Sequence, residues 1–133
     1  MKKILFIFIV LISFNSCSKE QENTHSNQGK KQIIIWGSTA CPHCVNAMPQ
    51  FKEKIYDTYK EKIDIQVNSI NGKKFEVDIP QNLDTNTIPD FETLVGKKCD
   101  YIPSFVVFDE NKKLILSSCG GEKNIDDILN VLK

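Results

Sequence analysis

Apolar residues along the chain fall into runs of three kinds, and each kind predicts a different element. Gln32-Ile33-Ile34-Ile35-Trp36 and Ser104-Phe105-Val106-Val107-Phe108 are short, nearly unbroken and rich in β-branched and aromatic side chains, as expected of strands buried on both faces. Gly37 and Ser38 close the first run and mark it as a central strand. Val45, Met48, Phe51, Ile55 and Tyr59 recur three and four residues apart, so an amphipathic helix is expected over 44–62, bent at Pro49. Ile63, Ile65 and Val67 alternate with polar neighbours, and Phe75, Val77 and Ile79 alternate again after Asn71-Gly72. That spacing predicts a hairpin closed by a type I′ turn. Residues 82–88 read as loop, and Pro89 opens a short helix over 89–98, since proline is tolerated in a first turn. Leu114-Ile115-Leu116 should pair with the second apolar run across a polar turn at 109–112, ending at Gly120-Gly121. Ile125, Ile128, Leu129 and Leu132 trace one face of a final helix that Asn124 can cap.

The first thirty residues follow another rule. Lys2 and Lys3 precede an unbroken apolar run at 4–12, followed by Ser13-Phe14-Asn15-Ser16-Cys17, which is the layout of a secretory signal. The run is far short of the roughly 20 residues a membrane-crossing helix needs. Cys17 behind the small Ser16 resembles a bacterial lipobox, although Phe14 and Asn15 stand where Leu and a small residue are usual. The resemblance implies a signal peptide at 1–16 and a lipid anchor on Cys17. Residues 18–31 are polar and aperiodic, so 17–31 form a solvated tether with an r.m.s. reach of roughly 20 Å. His25 falls in this tether and is expected to be solvated. The remaining segment, 32–133, is the right size for one domain.

Charge narrows the choice of partners. The 133 residues carry 17 basic and 17 acidic side chains, and every basic one is lysine. With no arginine forks and no excess of positive charge, a nucleic-acid partner is not expected.

The chemistry rests on Cys41-Pro42-His43-Cys44, at the start of the expected helix. Two cysteines at this spacing can close a small disulfide, and the first is placed at the unpaired N–H groups of the helix N-terminus, where an anionic sulfur is favoured. Cys41 is therefore the expected nucleophile and Cys44 the shielded partner that resolves a mixed disulfide. Pro42 stiffens the turn, and His43 adds a donor or a positive charge beside the thiolate. Both favour the reduced form and so an oxidising or isomerising bias. Zinc sites share the Cys-x-x-Cys spacing but normally need a second such pair. Cys99 and Cys119 lie twenty residues apart, so no resident metal and no cofactor is expected. A soft Cu(I) site on Cys41 and Cys44, and an inert bridge, are the alternatives.

The order of strand, Cys-Pro-His-Cys, helix, and Ile102-Pro103 before an apolar strand resembles the thioredoxin superfamily over 31–133. The resemblance implies an α/β fold with a mixed central sheet of four to five strands flanked by helices. It also implies that Pro103 is cis and lies beside Cys41 and Cys44. Pro49 matches the bend in the family's active-site helix, and Gly120 the glycine that ends its last hairpin. The tetrapeptide looks like that of DsbA-type oxidases, but 63–98 is too short for their helical insertion. Ile35 stands where the resemblance would place a buried acid six residues before the first cysteine, so proton removal from Cys44 lacks its usual helper.

Trp36, Ile102 and Pro103 are expected to receive an extended client segment. Cys99 and Cys119 stand open between a structural disulfide, buried thiols and a relay with Cys41 and Cys44. The partners expected are exported cysteine-containing proteins and a membrane redox partner. A reductase devoted to one client is the runner-up.

Overall fold

The computed structural model describes residues 29–133. The signal at 1–16, Cys17, His25 and all but the end of the tether lie outside the described residues. Four strands form one sheet in the order β2-β1-β3-β4: β1 is Gln32–Gly37, β2 Asp64–Ser69, β3 Ser104–Phe108 and β4 Leu114–Ser118. β1 pairs parallel with β2 and antiparallel with β3, and β3 pairs antiparallel with β4. A parallel neighbour requires a crossover, and the helical stretch between β1 and β2 supplies it.

β1 is central because its side chains are apolar on both faces. Ile33 and Ile35 join Val67, Phe105 and Val107 under Met48, Phe51, Ile55, Ile128 and Leu132. Ile34, Trp36 and Val106 point the other way and meet Phe91. The period-two alternation of a strand thus sorts consecutive isoleucines into two separate cores.

The crossover begins as α1, Pro42–Phe51, passes through a π-helical turn at Lys52–Tyr56 and ends in α2, Asp57–Tyr59. It starts two residues earlier than the periodicity suggests and stops before Lys60. Pro49 lies inside α1 and has no N–H for the preceding turn; the widened π turn follows it within one further turn.

The hairpin expected over 63–79 does not form. β2 is present, but Phe75, Val77 and Ile79 lie in irregular chain, and 70–81 loops back to the sheet edge to pair only at Asn82, beside Asn68. A type I′ turn needs positive φ at both central residues, whereas Gly72 has φ +69° and Asn71 is not in that region. Phe75 and Ile79 still reach the core, which is why they alternate with exposed neighbours. One side chain replaces the missing ladder: Gln81 accepts from the Phe75 N–H at 2.8 Å and donates to the Phe75 and Val77 carbonyls at 3.1 and 3.4 Å.

Between β2 and β3, the helix expected over 89–98 is shorter: α3 is Phe91–Val95, capped by Asp90, whose carboxylate accepts from the Thr93 N–H, and closed by Gly96 at φ +78°. Pro89 precedes the cap instead of opening the helix. The final helix, α4, is Ile125–Leu132, and Asn124 and Asp127 form a reciprocal capping box at its start. Gly120, at φ +68°, turns the chain away from β4.

Replacing Gln81 by Leu is expected to strand the Phe75 backbone groups and to cost about 1–3 kcal/mol in a denaturant titration. An unchanged midpoint would show that the 70–81 loop does not depend on this amide.

Candidate active site

β1 ends at Gly37, and the turn that follows delivers the first cysteine. The Cys41 N–H donates to the Ser38 carbonyl at 3.1 Å, and the Ala40 N–H donates to the Ser38 hydroxyl at 3.1 Å. Cys41 is the N-cap of α1, with extended backbone, and its sulfur accepts from the Cys44 N–H at 3.3 Å. Pro42 fills the first helical position, where a missing N–H costs nothing. The sulfur of Cys41 thus lies beside the Cys44 N–H at the positive end of the helix, half exposed.

Cys44 is one turn into α1 and fully buried. Its surroundings are Gly37, Phe75 and the core residues Ile35 and Met48. Gly37 is required by close approach: a Cβ there would stand 3.1 Å from the Phe75 ring and 3.5 Å from the Cys44 sulfur. Burial, reinforced by its hydrogen bond with Cys41 and by that neighbour's charge, pushes the Cys44 thiol up to about 12. Ile35, 4% exposed, occupies the core beside it and offers no proton acceptor.

The third component arrives from β3. The Ile102-Pro103 peptide is cis, and the Ile102 carbonyl oxygen lies 3.9 Å from the Cys41 sulfur, within reach of a thiol donor. β1 and β3 are hydrogen-bonded neighbours with Trp36 opposite Ser104, so the residues just before Ser104 are carried to the same end of the sheet as Cys41. On the other side, His43, Met48, Phe51, Pro103, Phe105 and Ile125 line a groove of about 560 Å³ between α1 and α4. His43 itself is exposed on the first turn of α1.

Trp36 offers little of itself to this surface, contrary to expectation. It is 4% exposed, packs edge-on against Phe91 at 5.4 Å and donates its indole N–H to the Pro89 carbonyl at 2.8 Å. Alternation along β1 turns it into the second core. The apolar residues that do stand in solvent near the dithiol are Val45, Ile70 and Tyr101. Val45 donates its N–H to the Cys41 carbonyl, Ile70 donates to the Gly37 carbonyl, and Tyr101 precedes Ile102. Phe75, which meets Gly37 in the same core cluster as Cys44, carries no sequence signal of that role, because it reads as one position of an alternating strand.

Cys99 and Cys119 form a disulfide with Cα atoms 5.6 Å apart; Cys41 and Cys44 are free thiols. Among the described residues, no group of three His, Cys, Asp or Glu side chains is placed to hold a metal ion.

No protein-family model matches the sequence, and no curated protein matches it. Solved structures do match in shape. The thioredoxin domain of a thiol-disulfide oxidoreductase from Bacteroides vulgatus superposes with a TM-score of 0.58 at 17% identity, over 82% of this chain and 81% of that one. This chain has the thioredoxin-like fold. StoA from Bacillus subtilis gives the same TM-score, 0.58, at 17% identity over 79% of this chain and 84% of that one. The pneumococcal exposed lipoprotein thioredoxin Etrx1 from Streptococcus pneumoniae gives 0.55 at 16% identity, over 80% and 86% of the two chains. On the thioredoxin-like frame, the described domain has four strands, the lower of the two numbers expected.

The two thiols should differ sharply in reactivity. Alkylation of the reduced protein at about pH 8 is expected to label Cys41 and spare Cys44; equal labelling of both would contradict the enclosure described above. Phe75→Ala is expected to bring Cys44 labelling to lower pH. The folded Cys44 keeps its proton up to about 12, against an ordinary thiol value of 9.0. The unfolded chain loses that proton first, so this group leaves stability untouched below about pH 9 and lowers it as pH rises from there toward 12.

Proposed function

We propose that this protein is a thiol-disulfide oxidoreductase acting on exported proteins through a reversible Cys41–Cys44 disulfide, with an oxidising or isomerising bias. The observation that carries the reading is the asymmetry of the pair: one sulfur caps a helix at the surface, and the other is buried and kept neutral.

The exchange follows from that asymmetry. With the pair oxidised, a client thiolate attacks the Cys41 sulfur, the Cys41–Cys44 bond breaks, and Cys44 leaves and takes up a proton. A second client thiolate then attacks the client sulfur of the mixed disulfide, and Cys41 leaves as thiolate. The client loses two electrons and the pair gains them. Once protonated, Cys44 is a poor nucleophile, since only the thiolate attacks. The client's own second thiol completes the oxidising step; a mixed disulfide without such a thiol waits for Cys44 to lose its proton and resolve it. Pro42 and His43, at the first two positions of α1, stiffen and polarise the turn. Ile102 and Pro103 offer an edge to an extended client segment, with Val45, Ile70 and Tyr101 in place of Trp36 as its apolar rim.

The N-terminal reading fits the same picture. A signal at 1–16 would export the chain, and a lipid on Cys17 would tether it through 17–31. Gly29 and Lys31 lie by Glu110 and Val131, at the end of β1 opposite Gly37. A tether leaving there would hold the dithiol away from the membrane by the length of β1, about 17 Å. Etrx1, one of the structural neighbours, is described as an exposed lipoprotein. A membrane redox partner would have to reach across that distance to reoxidise the pair.

Exchange with a disulfide-bonded peptide tests the reading. Cys41→Ser is expected to reduce it to the uncatalysed background. Cys44→Ser is expected to accumulate a mixed disulfide between Cys41 and the peptide, visible by mass under non-reducing conditions. A Cys44→Ser protein that forms no adduct, together with Cu(I) retained by the purified wild type, would favour the metal-binding alternative.

A further inference from the structure

Beside the dithiol lies a second pair of cysteines that the exchange chemistry does not use. The Cys99–Cys119 disulfide joins the segment after α3 to the end of β4. Two residues separate Cys99 from Ile102, whose carbonyl faces the Cys41 sulfur at 3.9 Å. The segment carrying that carbonyl has little else to hold it. It starts at Gly96, belongs to no helix or strand up to Ser104, and, among the described residues, makes no backbone–backbone hydrogen bond over 97–102. Tyr101 is 71% exposed. The bridge also stands between two open clefts. One, of about 560 Å³, is lined by Phe91, Val95, Tyr101, Ile102 and Cys119; the other, of about 500 Å³, by Trp36, Ile70, Ile88 and Cys99. Its other contacts are the packing of Cys99 on the second core, the Ile102 side chain, which touches both cores, the close approach of Tyr101 to Gly120, and an exposed ion pair between Lys98 and Asp100 within the segment itself.

An unsupported segment of this length would have to be ordered each time a client binds, at a cost in chain entropy for each residue fixed. We propose that the Cys99–Cys119 bridge is a positioning device: it holds the Ile102 carbonyl and Pro103 in register with Cys41 so that an extended peptide is bound pre-oriented, and it takes no part in thiol exchange itself. The bridge closes a loop of sequence separation 20 and removes the segment's freedom before the client arrives. The proposal rests on the oxidoreductase reading and specifies which residues give that reading its selectivity for peptides over small disulfides.

The test compares wild type with Cys99→Ala/Cys119→Ala on two disulfides, a ten-residue peptide carrying a mixed disulfide and hydroxyethyl disulfide, with reduced glutathione as the thiol donor. The variant is expected to lose about tenfold or more in kcat/KM toward the peptide, carried by KM, while the small disulfide, which does not use the Ile102 edge, changes by less than about twofold. Equal losses on both substrates, or none on the peptide, would overturn the proposal while leaving the oxidoreductase reading intact. A wild type inert toward both would remove that reading and the proposal with it. If Trp36 fluorescence shows the double variant unfolded, Asp100→Gly keeps the bridge and loosens the span from Cys99 to Ile102. It is expected to raise KM for the peptide alone, and an unchanged KM would overturn the proposal.

Discussion

The distance of three residues between Cys41 and Cys44 imposes the constraint on which the site depends. Over less than one helical turn the chain must take one sulfur from solvent-facing donors to a dry interior. It does so by placing the helix boundary between them. Cys41 remains outside the helix as its cap, where its sulfur meets the Cys44 N–H, and Cys44 lies inside, against Gly37 and in one core cluster with Phe75. Every other part of the site serves one side of that division. Gly37 has no side chain because the buried sulfur and the phenyl ring need the space. Phe75 is held in place by the Gln81 amide. A thiol so enclosed stays neutral far above its ordinary range, and this separates the roles of two chemically identical groups.

The sheet supplies the rest by register. β1 carries the chain to Cys41, and its antiparallel neighbour β3 begins just after Ile102-Pro103. Pairing of two adjacent strands therefore brings together residues more than sixty positions apart. The core on one face packs the helix that holds Cys44; the core on the other packs α3 and the segment leading to Ile102. Ile102 touches both clusters, so the carbonyl beside Cys41 is sensitive to packing on either side of the sheet.

Much of this was legible in the sequence, and the failures have physical causes. The runs at 32–36 and 104–108 read as strands buried on both faces, and the 3.6-residue period after Cys44 as a helix, and both form. Asn124 with Asp127 three residues on is a cap that local chemistry alone specifies. The segment after Asn71-Gly72 misled because alternation reports which side chains are buried, not whether the backbone is paired. Phe75 and Ile79 are buried from a loop that Gln81 satisfies, and no local pattern distinguishes that loop from a strand. Trp36 misled for the opposite reason. In a strand apolar on both sides, the sequence does not say which face any one residue takes, and the partners that decide it, Phe91 and Pro89, lie more than fifty residues away.

The midpoint potential of the Cys41–Cys44 couple, measured by equilibration in thiol-disulfide buffers and counting of free thiols, tests the central claim most directly. The account predicts a reversible two-electron couple clearly more oxidising than thioredoxin's value of about −270 mV. A pair that remains two thiols across the whole range, or a midpoint at or below that value, would contradict it.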